Sequence, residues 1–183
     1  MKKIVFDLDD TLWGLNNLVT SLVGADYNKI TTFVITDNEN FSEEVKAQFI
    51  EKYYDINTWK QMVLYEGANR LRELETDEVR VYINSNCSTT EIMEYKREIL
   101  PKLLGIPTER IMLQIGVRNK PMLDDMLIFV DDSPNNIKKS TAKYNIVPDK
   151  PWNRDFADAI RCKDFRNVID TIKDILKKEG LAQ

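Results

Sequence analysis

Near the start of the chain, the apolar residues Ile4, Val5 and Phe6 lead directly into Asp7, Leu8, Asp9, Asp10 and Thr11. Carboxylates this close repel one another, and in a folded chain they need a cation or solvent to relieve them. A strand that delivers Asp7 and Asp9 together at its C-terminal end fits a phosphoryl-transfer site built around a divalent metal. The chain has no histidine. That removes Ser-His-Asp triads, Cys-His dyads, histidine zinc sites and the two-His iron triad in one step. Acid–base chemistry therefore falls to carboxylates, Lys, Tyr or Cys.

Such residues need elements to bring them together. Besides the run ending at Phe6, four segments read as buried parallel strands: 79–84, 110–115, 126–130 and 144–147. Helical stretches lie between them. Ser42 is placed to N-cap a helix from Glu43 to about Tyr53, with Val45, Phe49 and Tyr53 on its apolar stripe. Others are expected over 67–74, over 90–104 (Ile92, Tyr95, Ile99 and Leu103 on one side, Pro101 ending or kinking it) and over 167–178, with Val168, Ile172, Ile175 and Leu176 inward. The pattern is α/β, with a central parallel sheet of about five strands covered on both faces. The stretch 13–75 stands apart. It is longer than a simple crossover requires and too rich in Trp, Phe and Tyr for a linker. It reads as a small helical cap inserted after the first strand, with a short extended element at 31–35, while 1–12 and 76–183 form the core.

In open parallel sheets, ligands bind beyond the carboxyl ends of the strands. The first strand offers Asp7 and Asp9 there, the second Ser85 and Asn86, and the fourth Asp131 and Asp132. Lys120 lies in the loop after the third. These supply carboxylates for a metal, a hydroxyl and an amide for phosphate oxygens, and an ammonium for phosphate charge, a set suited to phosphoryl transfer. Each piece also has a plainer reading. Asp9-Asp10-Thr11 can cap a helix, and Asp131-Asp132-Ser133-Pro134 can be a capped turn. Ser85 and Asn86 can be ordinary loop residues, and Lys120 a solvated lysine.

The 183 residues suit one domain, or a domain with an insertion; 43% are hydrophobic and 31% charged, as expected of a globular protein. The net charge of −4 argues against a nucleic-acid polymer as partner. Cys87 and Cys162 form no CxxC pair, and the apolar start is interrupted by aspartates. A cytoplasmic protein with no membrane partner is expected, as monomer or homodimer.

Residues 6–11 resemble the DxDxT first motif of the haloacid dehalogenase superfamily. Ile83-Asn84-Ser85 is similar to the second motif, Lys120 to the third-motif lysine, and Phe129-Val130-Asp131-Asp132 to the fourth. The resemblance implies a Rossmann-like core and a Mg2+-dependent phosphomonoester hydrolase. It makes Asp7 the nucleophile that becomes an aspartyl phosphate. Asp9 would be the acid and then the base, with its backbone carbonyl on the metal. Ser85, with Asn86 beside it, and Lys120 would hold the phosphoryl group. Asp7 and Asp132 would ligate Mg2+ with Asp131 one layer behind, the order of these two acids being open.

Within the superfamily, the cap, the segment 66–71 and the segments 110–120 and 149–154 resemble the 5'(3')-deoxyribonucleotidase group. That resemblance implies a small phosphorylated metabolite, a (deoxy)nucleoside monophosphate, as substrate. Phe33, Phe41, Phe49, Tyr53 and Trp59 are then candidates to stack on its base. The first motif departs from that group's D-M-D-G-V pattern at Asp10 and Thr11. Two alternatives stand beside this reading: a magnesium-dependent protein or sugar phosphatase of the same superfamily, and a non-catalytic phosphate-binding module.

Overall fold

The computed structural model describes residues 1–116 and 120–182. Six parallel strands form one sheet: β1 (Lys2–Phe6), β2 (Val79–Cys87), β3 (Ile111–Ile115), β4 (Met126–Val130), β5 (Tyr144–Pro148) and β6 (Ile160–Cys162). Their order across the sheet is β3-β2-β1-β4-β5-β6. The α/β expectation holds, with one strand more than the five read from sequence. The added β6 is a three-residue edge strand that continues the ladder on Ile146–Pro148, too short to show a period.

The central strands are buried on both faces, which is why they read as uninterrupted apolar runs. Ile4 and Phe6 join Val81, Ile83, Ile128 and Val130 in the larger buried cluster. The next residue in register, Val5, packs on the opposite face with Phe129, Met126 and Ile137. The helices that cover the sheet are α4 (Thr90–Leu104), α5 (Pro134–Lys139) and α6 (Phe165–Lys178). Val168, Ile172, Ile175 and Leu176 of α6 are buried as expected. Each fully buried aliphatic or aromatic side chain contributes about 1.5–3 kcal/mol, so these two layers hold the strand ends rigidly.

Between β1 and β2 lie α1 (Leu15–Leu22), α2 (Glu43–Tyr54) and α3 (Ile56–Trp59), then a 3-10 stretch, Ala68–Leu74, where a helix was expected. The Ser42 hydroxyl accepts from the Val45 N–H at 3.3 Å and caps α2. α1 was not anticipated, although Leu15, Leu18, Val19 and Leu22 carry helical spacing. Trp13, Leu15, Val19, Phe49 and Trp59 belong to the same buried cluster as β1.

Three expectations are corrected. No strand forms at 31–35; the chain bends there into a 3-10 turn, Ile35–Asp37. The Thr32 hydroxyl donates to the Val34 carbonyl at 2.9 Å, a local bond that competes with strand pairing. Pro101 does not end α4. It sits in the last turn, where only its own missing bond is lost, and Gly105 at φ 64° ends the helix instead. On α4, Ile92 is buried and Tyr95 and Ile99 pack half-buried against the core as expected, but Leu103 is exposed; the fully buried stripe runs through Ile92, Lys96, Leu100 and Leu104.

Candidate active site

The strand order reverses between β1 and β4, so the crevice at their carboxyl ends is the topological switch point. Asp7 follows β1 and Asp131 follows β4. The Asp7 N–H donates to the Val130 carbonyl at 2.8 Å, tying the two ends together. Asp7, Asp131 and Asp132 are all buried. They can each present one carboxylate oxygen so that the three atoms lie within 4.8 Å of one another.

The Lys120 ammonium reaches into this cluster. It donates to Asp7 Oδ1 and, at 3.0 Å, to Asp131 Oδ2. Burial alone would lower its proton affinity, but Asp131 and Asp7 outweigh that and hold it charged. Its loop is anchored from β2, where Asn84 Nδ2 donates to the Pro121 carbonyl at 2.9 Å. Residues 117–119, part of the 110–120 resemblance, lie outside the described residues. Burial pushes the Asp7 carboxyl up to about 7; Lys120 pulls it down, and Asp131 and Asp9 push it further up. Asp132 is driven the same way by burial and by Asp7 and Asp131.

Supporting groups fix the orientation of each acid. Thr11 Oγ1 donates to Asp7 Oδ2 at 3.2 Å and lies 3.5 Å from Asp132 Oδ1. Asp131 accepts from the Ser133 N–H at 2.9 Å and from Asn136 Nδ2 at 3.0–3.1 Å. Trp152 Nε1 donates to Asp132 Oδ2, and Asn153 Nδ2 to the Asp132 carbonyl, both at 2.9 Å. The segment 149–154, singled out in the sequence, thus braces the second acid of β4.

An oxygen-only set of three carboxylates buried together, with Lys120 in direct contact, fits a hard divalent cation such as Mg2+. Asp7, Asp132 and Asp131 are the residues that would hold it. Asp131 is already engaged by Lys120, Ser133 and Asn136. Among the described residues, Asp132 Oδ1 has only the long Thr11 contact, which makes it the freer donor.

Asp9 is placed differently. Its carboxylate accepts from Lys96 Nζ at 2.9 Å and 2.8 Å on its two oxygens, and from Trp13 Nε1 at 2.8 Å. Ser85 Oγ lies 3.3 Å from Asp9 Oδ2 and accepts from Lys96 at 3.1 Å. Ser85 and Asn86 are not loop residues. β2 continues through them because β3 pairs with residues 83–87, four residues further along than the 79–83 that pair with β1. Lys96 was not anticipated. The sequence signal was a lysine in the apolar series Ile92, Lys96, Leu100.

Asp10 has φ 59°, in the left-handed region. Its Oδ1 accepts from the Asn16 N–H at 2.9 Å at the start of α1, so the capping reading of this residue holds. Glycine and aspartate are among the few residues that tolerate this conformation. Asp10 therefore meets here a backbone requirement that glycine would also meet.

A cavity of about 790 Å³ opens above the acids. Asp7, Asp9, Asn86, Lys120, Asp131 and Asp132 line its floor, and Phe33, Phe49, Tyr53 and Tyr54 from 13–75 line its wall. Two of the aromatic candidates lie elsewhere. Phe41 packs with Ile30 and Trp152. Trp59 is fully buried, with its ring 4.3 Å from the Lys96 ammonium. Among the described residues, no helix is long and apolar enough to cross a membrane.

No family model and no curated protein matches the chain by sequence. Its fold is that of haloacid dehalogenase-like hydrolases. It is similar to a Clostridium difficile protein provisionally assigned as a phosphatase, with TM-score 0.58 and 15% identity over 93% of this chain and 98% of that one. A Thermotoga maritima protein provisionally assigned as a beta-phosphoglucomutase gives 0.56 and 13% over 96% and 100%. A haloacid dehalogenase-like hydrolase from Streptococcus pneumoniae gives 0.54 and 14% over 93% and 98%.

Proposed function

We propose that this chain is a Mg2+-dependent phosphomonoester hydrolase that works through an aspartyl phosphate on Asp7, and that its substrate is a (deoxy)nucleoside monophosphate. The observation that carries the reading is the buried Asp7 at the switch point, gripped by Lys120 and Thr11, with Asp131 and Asp132 in the same cluster. Asp7 attacks phosphorus, and the bond to the leaving oxygen breaks. Lys120 offsets charge on Asp7 and on the transferring group. Asp9 gives its proton to the leaving oxygen and then takes one from the water that hydrolyses the aspartyl phosphate. A bound magnesium ion would supply charge neutralisation at the phosphoryl oxygens.

Phe33, Phe49, Tyr53 and Tyr54 give the cavity a wall on which a nucleobase can stack. The cavity's size also suits a small metabolite. The test is hydrolysis of a panel of 5'- and 3'-nucleotides, hexose phosphates and a phosphotyrosine peptide, with and without Mg2+, by wild type and Asp7→Asn. Turnover of deoxynucleotides above the rest supports the nucleotidase reading. Preference for hexose phosphates or for the peptide replaces it with the matching alternative. Absence of any turnover leaves only the non-catalytic module.

A further inference from the structure

Lys96 has no part in the scheme above, yet it touches Asp9 and the candidate phosphate-binding residues Ser85 and Asn86. It lies on the core helix α4, wholly buried. Its ammonium donates to both oxygens of Asp9, to Ser85 Oγ at 3.1 Å and to the Asn86 carbonyl at 3.3 Å. Two tryptophans wall it in: the Trp59 ring at 4.3 Å and the Trp13 ring at 5.9 Å. A cation held over aromatic faces and away from water is retained when it is paired and its protons are satisfied, and its hydrogen-bond partners Asp9, Ser85 and Asn86 are all candidate site residues. Trp13 closes the arrangement, since its Nε1–H donates to the same carboxylate at 2.8 Å.

From this geometry we infer that Lys96 is a positioning residue for the acid–base carboxylate. It fixes the rotamer and location of Asp9, and through Ser85 and Asn86 it sets that carboxylate against the phosphate-binding side of the cavity. Asp9 is outside the group of three acids that could share a metal. Lys96, rather than the metal those three acids could share, therefore determines where this carboxylate stands. The side chain reaches Asp9 from below, through the core, so it meets no substrate itself. The inference rests on the proposed assignment of Asp9 as acid and base.

The test is a leaving-group series from p-nitrophenyl phosphate to alkyl phosphates, with Mg2+ present, on wild type, Lys96→Met, Trp13→Phe, Asp9→Asn and the double variant of Lys96 and Asp9. General acid catalysis contributes about 10²–10⁴-fold where the leaving oxygen needs a proton. Lys96→Met is expected to lower kcat/KM for alkyl phosphates by about 10²-fold or more, and for p-nitrophenyl phosphate by less than about fivefold, the pattern of Asp9→Asn. The double variant is expected to be no worse than Asp9→Asn, because both changes remove one function. Trp13→Phe, which leaves no uncompensated charge, should show the same pattern with smaller amplitude and keeps the test open if Lys96→Met does not fold. A uniform loss across the series, multiplying losses in the double variant, or a gain on alkyl phosphates would each overturn the role of Lys96 while leaving the phosphatase reading standing. A wild type inactive on the whole series overturns both.

Discussion

Replacing Asp7 by Asn should stabilise the metal-free protein at neutral pH while destroying its activity. Burial raises the Asp7 carboxyl from the ordinary 3.8 to about 7. An acid whose folded pKa lies above its unfolded one binds more protons folded than unfolded between those two values. Stability is therefore gained as pH falls through that window and is lost again as pH rises to 7. Keeping Asp7 ionised at neutral pH costs on the order of 4 kcal/mol. For a chain of this length that corresponds to roughly 10 °C in Tm. Asp132 is raised by burial as well and faces Asp7, so the two acids titrate together and share the cost. A divalent cation that neutralises the three acids should return the same energy; at one hundred times its Kd it contributes about 2.7 kcal/mol.

The assay is thermal unfolding followed by circular dichroism, in EDTA and in Mg2+, from about pH 7.5 to about pH 5. Wild type in EDTA should gain Tm on acidification across this range. The increment from Mg2+ should be largest at neutral pH and fade as the acids protonate. Asp7→Asn in EDTA should exceed wild type at neutral pH and lose part of the pH slope, the remainder coming from Asp10 and Asp132, which burial also raises. A wild-type Tm that is flat or falls on acidification in EDTA refutes the reasoning. So does a magnesium increment that is equal at both ends of the range.

Other changes read separate parts of the site. Asp7→Asn should lower kcat by at least about 10³-fold in a steady-state phosphate-release assay, as loss of a nucleophile does. Trp152→Phe removes the donor to Asp132 while keeping an aromatic ring in place, and magnesium affinity should fall about 10–100-fold in a titration of activity against metal. Asp10→Gly should be about 1 kcal/mol more stable than Asp10→Ala in urea unfolding, because of the two only glycine adopts φ 59° without strain. Phe33→Ala should raise KM about tenfold for a nucleoside monophosphate and leave KM for an alkyl phosphate unchanged, if the base stacks on this wall.

The central strands were legible because they are buried on both faces. Runs such as Ile4–Phe6 and Met126–Val130 have no other stable placement, and the acids that end them could be read as a site once parallel pairing was expected. Asp10 as a capping residue and Ser42 as an N-cap were also readable, since both act within a few residues of themselves. What escaped was set at longer range. Ser85 and Asn86 look like loop residues until β3 pairs beside them. β6 exists only because β5 offers it an edge. Phe41 and Trp59 share composition with Phe33 and Tyr53, yet one pair is buried elsewhere and the other faces the cavity. The largest omission was Lys96, a lysine on an apolar stripe that meets Asp9 across 87 positions of sequence. Sequence alone determined which residue types could carry phosphoryl chemistry and which strands present them, because strand ends and the absence of histidine are local facts. Only the tertiary structure decided that Asp7 joins Asp131 and Asp132 while Asp9 turns to Lys96, because the partner of a buried charge is chosen by packing and not by spacing along the chain.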